Sequence, residues 1–129
     1  MKWYEKNPTK LEKEKEYKNI HIDSENSYDL NYGFLKDGQF FYNYLINYKE
    51  SKFNALCLYP HQYPFKRIEV LLCKITDDSK TKFEIFNEGF HNTLGQLCLF
   101  GHNPDEWSSN YGIKEIIERV QLWFEKRTI

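Results

Sequence analysis

The chain has 129 residues, 40% of them hydrophobic and 18% aromatic, with a formal net charge of −1. That length suits one domain able to bury roughly two thirds of its unfolded surface, and the aromatic content is the opposite of a disordered composition. Near-zero charge gives no electrostatic pull toward nucleic acid or membrane, and no apolar run approaches the roughly 18 residues that a bilayer span requires.

The N-terminal stretch Met1-Lys2-Trp3-Tyr4-Glu5 turns charged at once and shows no secretory signal. Asn7-Pro8 then predicts a helix start, because Asn is a good N-cap and Pro is tolerated at the first helical position. Residues 9–18 are charged, with Leu11 and Tyr17 as their main apolar side chains, so the expected helix lies on the surface with a narrow buried edge. Its charge run is a solvated face or a docking surface for a partner enzyme.

From Tyr28 the pattern changes to strands. Residues 28–35 form the first, and Asp37-Gly38 predicts a tight two-residue hairpin with both central residues at positive φ. Residues 39–48 return, carrying Phe40, Phe41, Tyr42, Tyr44, Leu45 and Ile46. Lys49-Glu50-Ser51 is the next turn, residues 53–59 the third strand and residues 68–75 the fourth, an antiparallel meander. Residues 82–86 allow a short extra strand. Residues 91–111 hold Gly95, Gly101 and Pro104 without a clean period, and such a long loop inside a compact domain is usually functional. Ile113, Ile116, Ile117, Val120 and Phe124 follow the stripe of an amphipathic helix, with Trp123 beside it. The sum is an α+β domain with helices at the ends of a sheet.

Three cysteines, Cys57, Cys73 and Cys98, do not make a disulfide framework, and a reduced, cytoplasmic protein is the simplest expectation. Cys57 alternates with Phe53, Ala55 and Tyr59 on one strand face, and Cys73 lies in an apolar strand; both read as buried core thiols. Cys98 sits in the long loop between Leu97 and Leu99, and a lone cysteine so flanked is more often buried and inert than reactive. No paired-Cys or paired-His spacing suggests a metal, and no glycine cluster precedes a helix to cradle a phosphate, so no cofactor is expected.

Two segments carry a further signal. The first is Tyr59-Pro60-His61-Gln62-Tyr63-Pro64-Phe65-Lys66, whose prolines force the chain out of the sheet as a rigid crossover. The second is His91-Asn92-Thr93-Leu94-Gly95-Gln96-Leu97-Cys98-Leu99, followed by His102, Asp105 and Trp107. Together they resemble the ubiquitin-conjugating enzyme superfamily. Its third strand ends in a similar Tyr-Pro crossover, and its active-site stretch runs His-Pro-Asn and then Gly-x-Ile/Leu-Cys-Leu. The family keeps a tryptophan close to the position of Trp107, and its element order matches over nearly the whole chain. Here the His-Pro-Asn signature is reduced to His91-Asn92, about three residues nearer the cysteine than usual. Arg67-Ile68 replaces a second proline pair, and one long helix follows the cysteine where the family has a pair. These departures resemble bacterial branches found in ubiquitin-like conjugation operons and antiphage systems.

The resemblance implies that Cys98 carries a ubiquitin-like protein, or another protein's C-terminus, as a thioester and passes it to a target amine, either with an activating enzyme as a further partner or, as in some of these branches, without one. It implies Asn92 as the amide that stabilises the oxyanion, with a turn-stabilising Asn as the alternative. His91 reads as a structural residue under the loop before a general base. His102 and Asp105 either orient or deprotonate the incoming amine or are loop polarity, and Trp107 is a packing anchor. Two rivals stand beside this reading. One is a Cys-His hydrolase using Cys98 with His91 or His102, although such enzymes usually place the cysteine at a helix start. The other is a non-catalytic relative of the same fold that binds partners.

Overall fold

The computed structural model describes residues 2–19, 28–48, 51–75, 83–85 and 107–125. The chain opens with a single turn of helix α1 (Trp3–Lys6), in which the Lys2 backbone N–H donates to Glu5 Oε1 at 3.1 Å. Helix α2 (Pro8–Glu16) follows directly. Asn7 caps it, its Oδ1 accepting the Lys10 N–H at 3.2 Å, and Pro8 takes the first helical position as the sequence predicts. A short 3₁₀ turn, Tyr17–Asn19, ends this region.

Strands β1 (Tyr28–Phe34), β2 (Phe40–Tyr48), β3 (Ser51–Leu58), β4 (Glu69–Ile75) and β5 (Phe83–Ile85) form one antiparallel sheet in the order β1-β2-β3-β4-β5. The four-stranded meander is therefore present, and the short extra strand extends it. The first hairpin differs from expectation. Gly38 N–H donates to Leu35 O at 2.8 Å and Leu35 N–H to Gln39 O at 2.9 Å, so the loop is three residues long, 36–38. Gly38 takes the left-handed conformation, φ +87°, and Asp37 Oδ1 accepts the Gln39 N–H at 2.9 Å. A type I turn with a left-handed glycine relieves Asp37 of the positive φ that a two-residue loop would impose.

Alternation along the strands divides the sheet into two faces. One carries Phe40, Tyr42, Tyr44 and Ile46 of β2, Phe53, Ala55 and Cys57 of β3, and Val70 and Leu72 of β4, all buried. Helix α3 (Ile113–Glu125) lays Ile113, Ile116, Ile117, Val120, Trp123 and Phe124 onto this face. Phe124 meets Phe53 edge-on at 5.0 Å, and Gln121 Nε2 donates to the Tyr44 hydroxyl at 3.2 Å. Trp3 of α1 covers the same face farther along, stacked on Tyr59 at 5.7 Å and edge-on to Phe40. The other face, with Phe41, Leu45, Leu56, Leu71 and Cys73, is half-buried. Cys73 thus departs from the expected core thiol, because period-two alternation sends Val70 and Leu72 inward and turns Leu71 and Cys73 to the opposite side.

Candidate functional site

The crossover between β3 and β4 is built from successive turns. Tyr63 N–H donates to Pro60 O at 3.0 Å, and Phe65 N–H to Gln62 O at 2.7 Å. The Tyr63-Pro64 peptide bond is cis. This geometry turns Tyr59 and Tyr63 into the core, their rings 4.7 Å apart and edge-on, and leaves Phe65 81% exposed at the tip. Trp3 packs against both tyrosines, so α1 closes the crossover from one side.

From the other side comes Trp107. Its indole N–H donates to Pro64 O at 2.8 Å, across a separation of 43 residues, and its ring meets Tyr111 edge-on at 5.5 Å. The expected packing anchor is there, and its target is the crossover itself. Cys98, Asn92, His91, His102 and Asp105 lie outside the described residues, as does most of the expected long loop, 91–106. The structure describes the two motif flanks, Tyr59 to Lys66 and Trp107, and joins them.

Beneath the crossover lies a polar cluster that sequence reasoning missed. Glu14 of α2 is only 8% exposed. Its Oε2 accepts from the Tyr59 hydroxyl at 2.6 Å and from the Ile113 backbone N–H at 3.0 Å, and the Tyr63 hydroxyl lies 2.8 Å from Oε1. That hydroxyl also reaches the Tyr111 carbonyl at 3.0 Å, so one proton bridges two acceptors. Tyr42 donates its hydroxyl to the Glu14 backbone carbonyl. Among the described residues no cation pairs with Glu14, and buried hydroxyls and an α3 N-terminal amide satisfy the carboxyl instead. Gly112 makes room for it, since a Cβ there would stand 2.0 Å from Glu14 Oε1. The available signal was the run of tyrosines at inward positions 42, 59 and 63, each importing a hydroxyl that needs a partner.

Burial sets the electrostatics. Desolvation first, and then the Glu14 carboxyl, raise the Tyr42, Tyr59 and Tyr63 phenols above their ordinary range. Burial alone pushes the Cys57 thiol up to about 12, so Cys57 is a neutral, inaccessible core group. Cys73 is raised by partial burial too. Neither environment suits a nucleophile.

A cleft of about 440 Å³ opens beside the cluster, lined by Lys10, Lys13, Tyr17, Asn110 and Lys114 among others. Two amides at the start of α3 are engaged there, Ile113 N–H by Glu14 Oε2 and Gly112 N–H by Glu115 Oε2 at 2.9 Å. Among the described residues no group of three His, Cys, Asp or Glu side chains could hold a metal ion, and no helix is long and apolar enough to cross a membrane.

Compared with protein-family models, with curated proteins and with solved structures, the chain matches none of them.

Proposed function

We propose that the chain is an acyltransferase of the ubiquitin-conjugating kind, which holds the C-terminal carboxyl of a ubiquitin-like protein, or of another partner protein, as a thioester on Cys98. The reading rests on the order Tyr-Pro crossover, His91-Asn92, Gly95-x-Leu97-Cys98-Leu99, Trp107 in a chain whose elements run helix, antiparallel meander, helix. The single observation that supports it best is the hydrogen bond from the Trp107 indole to Pro64 O. Trp107, which follows the second segment in the sequence, meets the Tyr-Pro crossover in space, and Cys98 precedes Trp107 by nine residues in the chain.

The chemistry follows in two balanced steps. The Cys98 thiolate attacks the acyl carbon of a thioester presented by an activating enzyme and expels that enzyme's thiolate. A target lysine amine then attacks the new thioester. The tetrahedral oxyanion accepts a hydrogen bond from the Asn92 amide, collapses with loss of the Cys98 thiolate, and gives up the amine proton to a base. His102 and Asp105 are the groups to orient or deprotonate the amine, and His91 supports the loop. Cytoplasmic action in bacterial antiphage defence is the setting this reading proposes.

The test mixes the protein with an activating enzyme and a ubiquitin-like protein of the bacterial conjugation kind, plus ATP. A thiol-sensitive adduct should appear on a non-reducing gel and by intact mass. Cys98→Ser should trap a thiol-resistant ester, and Cys98→Ala should form nothing. An adduct that persists unchanged in Cys98→Ala would refute the assignment.

A further inference from the structure

Among the described residues strand β1 is the outer strand of the sheet, paired to β2 on one side. The Leu35 N–H to Gln39 O bond fixes which of its residues bond to β2. Antiparallel pairing alternates, so Gly33 and Asn31 also point their backbone groups at β2, while Phe34, Tyr32 and Leu30 point theirs away from the sheet. Phe40 carries the same alternation forward, its carbonyl accepting the Tyr59 N–H of the β3 side at 3.1 Å. The outward N–H and C=O groups of Leu30, Tyr32 and Phe34 form a row with strand spacing.

The side chains along this row are apolar and only partly covered. Tyr32 is 37% exposed and Phe34 45%, on the same face of the strand. The Tyr32 and Phe34 rings pack tilted or edge-on against Phe40 and Tyr42, which holds them in place. Two lysines stand over their outer faces. Lys15 Nζ lies 5.8 Å from the Tyr32 ring centroid and 5.9 Å from that of Phe34, and Lys18 Nζ lies 5.6 Å from Tyr32. An exposed strand edge is normally blunted by charges on the strand itself. Here the positive charge comes from the neighbouring helical segment and is set over the aromatic row.

We propose that the outward edge of β1 docks an extended acidic segment of a partner protein, which adds as a further antiparallel or parallel strand and places carboxylates against Lys15 and Lys18. The backbone row supplies affinity for any extended chain, and the Lys18 ammonium over Tyr32, together with Lys15, whose ammonium also lies 3.6 Å from Glu12 Oε1, selects acidic side chains at alternate positions. This surface is independent of the thioester chemistry proposed for Cys98, so either can fail alone.

A blocked octapeptide of alternating glutamate and valine is the probe. In NMR titration its amide perturbations should centre on Leu30, Tyr32 and Phe34. Lys15→Glu/Lys18→Glu should weaken it about tenfold or more, close to 1.4 kcal/mol or above. The same peptide with lysine in place of glutamate should fail to bind. Tyr32→Pro, which removes one outward N–H along with the ring, should abolish binding in a protein whose far-UV circular dichroism still shows the sheet, whereas Tyr32→Phe, which keeps the ring and the N–H, should bind as the parent does. Three results would overturn the proposal. The first is no saturable binding up to about 1 mM, or affinity indifferent to the lysine reversal. The second is slow hydrogen exchange at Tyr32 and Phe34 in the free protein, which would mean that the chain's own segment occupies the edge. The third is concentration-dependent dimerisation with the same perturbations, which would make a second copy the occupant.

Discussion

Glu14 ties together four parts of the molecule through one side chain. It belongs to α2, accepts from Tyr59 at the end of β3 and from Ile113 at the start of α3, and contacts Tyr63 in the crossover. A buried carboxyl satisfied by hydroxyls and an amide is costly to disturb, because every donor left unpaired loses about 1–3 kcal/mol. Glu14→Gln sets an NH₂ group against one set of donors, so urea unfolding should show a loss of about 2–3 kcal/mol. Gly112→Ala must push the carboxyl aside and should cost a similar amount. The two effects share one cause. In a Glu14→Ala background, Gly112→Ala should therefore cost much less, and a fully additive cycle would show that the glycine acts elsewhere.

At the scale of elements, the hydrophobic periods carried most of the architecture. Inward alternation over Phe40, Tyr42, Tyr44 and Ile46, and the helical stripe from Ile113 to Phe124, each survive as buried surfaces. What was illegible depended on contacts distant in sequence. The turn α1 shows no periodicity over four residues; it exists because Trp3 finds Tyr59, Tyr63 and Phe40. Helix α2 is almost wholly charged, and its narrow edge of Leu11 and Tyr17 places Glu14 between them, but nothing local says that a carboxyl there finds buried hydroxyls. The hairpin loop gained a residue because Asp37 avoids positive φ. Of the candidate site, the family resemblance singled out Cys98, Asn92, His91, His102 and Asp105, and the described residues hold only its two flanks. The joint between those flanks is itself testable. Trp107→Phe removes the indole donor to Pro64 O and keeps most of the ring packing, so it should cost about 1 kcal/mol in urea unfolding. A cost no larger than that of a surface substitution would show that the indole bond is dispensable.

At the scale of the whole molecule, the core differs from a purely aliphatic one in the number of titratable groups it holds neutral. Tyr42, Tyr59 and Tyr63 are buried with their phenols raised by desolvation and by Glu14, and Cys57 is raised to about 12. In the unfolded chain the same groups release protons near their ordinary values, about 8.5 for a thiol and about 10 for a phenol. Above those values the unfolded state binds fewer protons than the folded one, so unfolding becomes easier as pH rises. The stabilisation is fully present below about pH 8.5 and is withdrawn through the alkaline range, first by Cys57 and then by the three tyrosines together. Because these groups sit in one connected core, their ionisation should coincide with global unfolding. A pH titration followed by phenolate absorbance and far-UV circular dichroism should show a late step, above the ordinary phenol value, that appears in both signals at the same pH as Tyr42, Tyr59 and Tyr63 ionise. Tyr63→Phe removes one of the late phenols, and should shrink the amplitude of that shared absorbance step. Ionisation of all tyrosines near pH 10 with an unchanged dichroism spectrum would contradict the burial of this core.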